Sequence, residues 1–385
     1  QADFFKTAMH RTVALAYGTP EKRKKILAEK TDVVIINYDG IEIVEKEIAE
    51  GGFDLIVVDE ANYIKTVTTR RWKAIKRIVN DDTWIWLLTG TPAAQSPADA
   101  YGLAKLVNPK SVPKYFGTFK DMVMQKVSHF TWIPRKNAQD IVFKTLQPAV
   151  RYTKEECLDL PDVTHQTRDV PLTPQQDKYY KKLKKEMFIE AAGEEITVVN
   201  AAAMLTKLLQ VSAGSIYTDK KEVIEFDVKN RMTALKDIIT EASHKVIVFA
   251  PFRNSIELIL TELTKSKISC DCIHGGITMN KRSQIFKSFQ ESKDPQVLVI
   301  QPQSASHGVT LHAANVVVFW SPVVSVETYI QCCARMDRAG QRNPMTVVHL
   351  QGSPVESKIY KMLQGKIDNH IKLVDLYKEE LGIVQ

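Results

Sequence analysis

The chain has 385 residues, 44% of them hydrophobic and 25% charged, the composition of a soluble globular protein long enough for two domains. No apolar stretch approaches the roughly 18 residues that span a bilayer. The opening "QADFFKTAMH" has neither a signal peptide's apolar core nor an initiator Met, so the chain reads as cytosolic and as a fragment or processed product. The net charge of +7 weakly favours a polyanionic partner.

Strand-like apolar runs alternate with helical segments, which predicts α/β architecture with parallel sheets. The first third offers strands at 32–37 (DVVIIN), 55–59 (LIVVD) and 84–89 (WIWLLT), with a helical stretch at 68–79 (TTRRWKAIKRIV). Periodicity fades near 145–170, where "LQPAVRYTKEECLDLPD" collects prolines, and a domain boundary is expected there. From Leu172 to about Ser215 the pattern is helical, with Thr173 as N-cap and Pro174 at the first helical position. The last third returns to strands at 245–250, 269–274, 296–301, 315–320 and 345–350. Their β-branched runs suit strands buried on both faces. Cys270 and Cys272 share one face of such a strand and read as reduced, partly buried thiols, since no CxxC pair occurs.

Four stretches carry chemistry. In "VVDEAN" (57–62) an Asp at a strand end suits a water-bridged Mg²⁺ and the following Glu suits an attacking water. Alone, the same string is also an acidic surface turn. "LLTGTPAAQ" (87–95) runs a second strand into a polar turn, at the sheet edge where open α/β sheets bind ligands. In "YIQCCARMDRAGQRNP" (329–344), Gln331, Arg335 and Arg338 fall at i, i+4 and i+7, which predicts one shared helix face reaching phosphates across an interdomain cleft. "IHGGITMNKRSQIFKSF" (273–289) and "QPQSASHGVTLHAANVVVFW" (301–320) place glycines and small polar groups at strand ends, where backbone amides meet phosphate. His274 reads equally well as a satisfied loop histidine.

In this order these stretches resemble the superfamily-two helicase core, and within it the Swi/Snf-type DNA-dependent ATPases. "VVIINYD" (33–39) resembles motif Ib, "DEAN" motif II, "LTGTP" motif III, and "RYTKEECLDLPD" (151–162) the segment leaving the first lobe. "KVIVFAPF" (245–252) resembles motif IV, "HGVTLHAANVV" (307–317) motif V, and "QCCARMDRAGQ" (331–341), the most diagnostic string, motif VI. The resemblance implies two RecA-like parallel-sheet lobes with a helical insertion between them. Residues 1–150 would form the N-terminal lobe, 151–230 the linker and helical segment, and 231–385 the C-terminal lobe. It implies ATP and Mg²⁺ as ligands: Asp59 binds the metal, Glu60 activates water, Arg335 and Arg338 act as arginine fingers, and Gln331, Gly308 and Gly90 line the nucleotide. Duplex DNA, held through its backbone without sequence preference, would meet Asn37, Tyr38, Thr89, Thr91, His274, Gly275 and Thr310. The basic runs 21–25 and 178–185 would add affinity, unless they are merely solvated helix faces. Such a protein works in the cytoplasm of a bacterial or phage-infected cell, or in a eukaryotic nucleus.

The chain departs from the family pattern at Asn62, Gln95 and Tyr152. The larger departure is that GxxxxGK[ST] occurs nowhere; the single Gly-Lys pair, Gly365-Lys366, is followed by Ile. Without that loop the β- and γ-phosphates have no cradle. The expectation is a truncated motor ATPase, inactive as this chain, whose P-loop lies in an N-terminal segment. A noncatalytic nucleic-acid-binding protein and an RNA helicase of the same superfamily are the alternatives.

Overall fold

The structure, a computed structural model, describes residues 8–80, 82–90, 92–93, 96–127, 132–152, 154–191, 198–217, 222–305 and 309–365. The chain divides into two units, residues 1–151 and 152–385. Among the described residues no helix is long and apolar enough to cross a membrane.

In the first unit, strands β1 (Val13–Ala16) and β2 (Val33–Ile36) pair in parallel, as do β3 (Leu55–Val58) and β4 (Trp84–Leu87). A short antiparallel pair, β5 (Met124–Lys126) and β6 (Trp132–Pro134), follows. The helix Arg70–Ile78 begins where Thr69 Oγ1 accepts from the Trp72 amide at 3.3 Å, a side-chain cap for one of the helix's orphan donors. It buries Ala74, Ile75 and Ile78 in a core shared with Val58, Ile41 and Leu103. The other face of β3 and β4 is open. Leu55 lies opposite Trp84 and Val57 opposite Trp86, and all four are exposed, Trp84 by 74%. Parallel strands are ordinarily covered on both faces.

Asp32 closes the entry to the β1–β2 pair. Its Oδ2 accepts from the Thr12 amide at 2.8 Å and the Thr12 hydroxyl at 2.7 Å, and its Oδ1 from Arg11 Nη1 at 3.2 Å. The Thr12 backbone bond above all holds the carboxyl down at about 2. Because the folded value lies below the unfolded one, the stabilisation is complete above about pH 4 and is lost as pH falls toward 2. Asp32→Asn is expected to make the fall in melting temperature between pH 4 and pH 2 shallower; an unchanged slope would remove Asp32 from the acid response.

The second unit is built on a six-stranded, all-parallel sheet in the order β11-β12-β10-β13-β14-β7. Its strands are β7 (Val163–Asp169), β10 (Lys245–Phe249), β11 (Cys270–Ile273), β12 (Val297–Ile300), β13 (Ala314–Phe319) and β14 (Met345–Gln351). A hairpin of β8 (Ser215–Tyr217) and β9 (Val223–Glu225) stands apart. Strand alternation divides the interior into two cores: Ile247 and Phe249 face one, Val246 and Val248 the other. The β-branched runs of the last third therefore sit in the fully covered setting their sequence calls for.

Helices Pro174–Ala191 and Val198–Ala213 occupy the expected helical stretch and belong to this unit. The first starts with a reciprocal cap: the Gln176 amide donates to Thr173 Oγ1 at 3.5 Å, and the Thr173 amide donates to Gln176 Oε1 at 3.1 Å. Arg231 and Glu356 form a bidentate ion pair at 2.8 and 2.9 Å, both side chains buried. Arg231 also donates to the Trp320 carbonyl, and Glu356 accepts from the Gly352 and Ser353 amides at 2.8 and 3.2 Å. The thiols of Cys270 and Cys272, on β11, are pushed up by burial.

Candidate nucleotide and nucleic-acid sites

In the first unit, β3 ends at Val58 and delivers Asp59 and Glu60 into a tight turn. Glu60 adopts the left-handed conformation, φ 51° and ψ 52°, which costs a residue with a Cβ on the order of 1–2 kcal/mol. Several bonds hold it there. The Glu60 amide donates to Asp59 Oδ1 at 3.0 Å, and the Tyr38 hydroxyl donates to the Asp59 carbonyl at 2.6 Å and more weakly to the Glu60 carbonyl at 3.4 Å. The Ala61 amide then donates to the Leu88 carbonyl at 2.9 Å, tying this turn to the end of β4. Behind it a short 3₁₀ turn buries Ala61, Asn62 and Ile64, and the helix Ala100–Val107 packs closely. A Cβ at Gly102 would lie 1.9 Å from the Lys65 carbonyl oxygen, so only glycine permits that approach.

Asp59 is exposed, and among the described residues no three His, Cys, Asp or Glu side chains gather as a metal cage. An exposed carboxylate such as Asp59 can occupy one coordination position of a divalent cation whose remaining ligands are water or phosphate oxygens. Thr89 and Gly90 lie just past β4, after Leu88, and a Cβ at Gly90 would meet no atom within 4 Å, leaving room for a ligand against the backbone. Thr91 and Gln95 lie outside the described residues.

The two motif Ib residues expected to touch nucleic acid have internal partners. Asn37 Oδ1 accepts from Arg23 Nη1 at 3.0 Å, and the Tyr38 hydroxyl is bonded as above. Arg23 itself, from the basic run 21–25, is buried and also bonds the Ala16 and Gly18 carbonyls at 2.7 and 3.0 Å. Within the run 178–185, Lys181 and Lys182 pair with Asp177 and Glu186 on their own helix.

In the second unit, the helix Val326–Cys333 starts at Ser325, whose hydroxyl accepts from the Thr328 amide at 3.2 Å, and ends with Ala334 as its C-cap. Gln331 lies in this helix, but Arg335 and Arg338 lie beyond it, so the expected shared helix face does not form. The break coincides with a bond from a distant segment. The Arg335 carbonyl accepts from the Leu311 amide at 2.8 Å, diverting the chain toward β13, and Gly340 turns with φ 101°, where glycine carries no Cβ penalty. Arg335 is 2% exposed and donates to the Val309 carbonyl at 3.4 Å. Arg338 is half-buried and donates to the Ala334 carbonyl at 3.0 Å. Gln341 is buried, donating to the Ala314 carbonyl at 2.8 Å and accepting from the Arg342 and Asn343 amides at 3.0 and 3.1 Å. In this unit Arg338 and Gln341 of the Arg-Ala-Gly-Gln string are thus engaged in bonds within the fold.

His274 and Gly275 follow β11, and Gln301 follows β12, at adjacent carboxyl ends of the sheet. The Gly276 amide donates to His274 Nδ1 at 3.1 Å, and the Gly275 amide to Gln301 Oε1 at 3.3 Å. Burial first, then the nearby Arg253, pushes the His274 imidazole below its usual value, with Arg282 and Lys281 adding to the effect. A neutral ring that accepts an amide fits this setting. Glu257 opposes the downward shift and pairs with Arg253 at 3.2 Å. Lys281 and Arg282, in the first turn of the helix Met279–Glu291, are functional candidates that the sequence reading missed. Thr310 is half-buried near the start of β13, and Gly308 lies outside the described residues.

The SNF2-related domain model matches residues 4–219, more than half of the chain. The chain belongs to the SNF2 family. Residues 230–340 also match the helicase conserved C-terminal domain, so this SNF2 chain matches the two domain models in succession. The SWI/SNF-related matrix-associated actin-dependent regulator of chromatin subfamily A-like protein 1 of Xenopus tropicalis is 25% identical over 350 residues, 86% of this chain and 34% of the relative. An uncharacterized ATP-dependent helicase, MG018, of Mycoplasma genitalium is 25% identical over 358 residues, 91% of this chain and 33% of the relative. The chain thus spans about a third of the length of these relatives. Among solved structures, the Sulfolobus solfataricus SWI2/SNF2 ATPase core in complex with dsDNA aligns at 22% identity and a TM-score of 0.46, covering 99% of this chain and 81% of that one.

Proposed function

We propose that this SNF2 chain is part of an ATP-dependent DNA translocase, with residues 1–150 in one helicase lobe and 231–385 in the other; the segment 151–230, expected as linker and helical segment, supplies β7 and two helices to the second unit. The observation that carries the reading is the Asp59-Glu60 turn, held left-handed at the end of β3 and tied to the end of β4 by the Ala61–Leu88 bond at 2.9 Å. Adjacent carboxylates fixed at that edge suit a metal ligand and a water-activating base. Magnesium, when bound, neutralises charge developing on the transferred phosphoryl group. Asp59 would hold it through one carboxylate, and Glu60 would orient and deprotonate water. Gly90, Gly308 and Gln331 would line the nucleotide. Arg338 and Arg335 would supply positive charge; Arg335, buried as it stands, must turn outward to do so.

Duplex DNA would be held through its phosphates, with Thr89, Thr91, His274, Gly275 and Thr310 at the contact. Asn37 and Tyr38 shape that region through the bonds their side chains already make. The sequence holds no phosphate loop, and β3 and β4 leave an apolar face open at Trp84 and Trp86. Both features support the inference that these 385 residues do not turn over ATP by themselves.

A DNA-stimulated phosphate-release assay on the full-length protein and on residues 1–385 tests the reading. Turnover is expected only at full length, with DNA affinity falling steeply as salt rises. Turnover by the 385 residues alone would overturn the claim of inactivity. DNA binding without ATP hydrolysis at full length would favour a noncatalytic binder, and stimulation by RNA alone would move the assignment to the RNA helicases.

A further inference from the structure

Successive carbonyls of an extended strand point to opposite sides. At the Asp59-Glu60 turn, the left-handed conformation of Glu60 turns two of them toward one donor, the Tyr38 hydroxyl, at 2.6 and 3.4 Å. The tyrosine therefore meets both carbonyls of the turn in the conformation that Glu60 adopts. Its ring is fixed independently of the hydroxyl: Arg71 lies 5.9 Å from the ring centroid and pairs with Asp39 at 2.6 Å, and the Tyr63 ring lies 5.8 Å away. The next residue toward the N-terminus, Asn37, is anchored to the buried Arg23 and through it to the end of β1.

We propose that Tyr38 is a positioning residue for the water-activating Glu60, its hydroxyl holding the two carbonyls of the motif II turn so that the carboxylate keeps its strained, reactive placement. This rests on the ATPase reading above. It reassigns Tyr38 from a nucleic-acid contact to the link between the motif Ib segment and the carboxylates. Loss of the hydroxyl removes its bonds to both carbonyls and so weakens the restraint that keeps Glu60 from relaxing toward negative φ, a change that swings its side chain away from the water it is to activate.

Tyr38→Phe removes the hydroxyl and leaves the ring between Arg71 and Tyr63. In the full-length protein with saturating DNA, it is expected to lower kcat about 10- to 100-fold, the scale of an ångström of misplacement in a catalytic group. KM for ATP and the Kd for duplex DNA should stay within about twofold of wild type, with the melting temperature within a few degrees, because a single lost hydrogen bond is small against the whole fold. Unchanged kcat overturns the proposal. A raised DNA Kd with normal kcat at saturation returns Tyr38 to nucleic-acid contact, and a fall of more than about 10 °C in melting temperature assigns it to the fold. Wild-type protein that hydrolyses no ATP fails the ATPase reading instead, and the role of Tyr38 with it.

Discussion

Glu60→Gln in the full-length protein is expected to lower DNA-stimulated kcat by about 10²–10⁴-fold, the range of a positioned general base. Glutamine matches glutamate in size and has comparable access to the left-handed region, so the turn and its bonds through Tyr38 and Ala61 should persist. What disappears is the ability to accept a proton from water. That interaction develops only in the transition state, so nucleotide affinity should stay near wild type while kcat collapses. A fluorescent-nucleotide titration alongside phosphate release separates the two. Arg338→Ala is expected to match or exceed this loss, since an arginine placed against transferring phosphate contributes about 10³–10⁵ in kcat. Normal turnover in either variant removes that residue from its role.

The second large effect falls on stability. Arg231→Leu should destabilise the second unit by about 3–5 kcal/mol, because it strands the Glu356 carboxylate in a buried site. The ledger is asymmetric. Arg231 supplies both strong bonds to Glu356 and a further one to the Trp320 carbonyl, whereas the Gly352 and Ser353 amides satisfy only Oε2. For a unit of this size the loss corresponds to a drop of roughly 6–20 °C in Tm. Replacing both partners, Arg231→Leu with Glu356→Leu, should recover most of it, because the stranded charge is gone. Recovery should stop short of wild type by about 1 kcal/mol, the loss of the cap that Glu356 gives its own helix. Equal unfolding midpoints for the single and double variants would show that the buried charge is not the source of the loss.

Strands β2 to β4 of the first unit and β10 to β14 of the second were legible because apolar, largely β-branched runs of that length favour strands; the short β1, β5, β6, β8 and β9 were not read as strands. Nor was β7. Its residues "VTHQTRD" are polar, and the segment was read as an aperiodic boundary, yet it pairs along all seven positions with β14. At a sheet edge the backbone ladder alone suffices, and it leaves no trace in side-chain hydropathy. The vicinity of the site divides the same way. Asp59 and Glu60 could be named from their place after a buried strand, but the left-handed turn of Glu60 arises from bonds to Tyr38 and Leu88, both more than twenty residues away in sequence.

The sequence by itself determined the α/β class, the SNF2 motifs in order and the missing phosphate loop, since each is written in local composition or spacing. Tertiary structure alone decided that the motif VI helix stops at Cys333 and that Arg335 is buried. It also decided that Arg282 reaches the His274 carbonyl at 3.5 Å and that Arg253 pairs with Glu257 nearby, and that Trp84 and Trp86 face outward. Helical spacing assumes the helix continues, whereas a single carbonyl captured by Leu311 ends it. Burial and charge clustering are set by which distant segments pack together, and no short window of sequence contains that information.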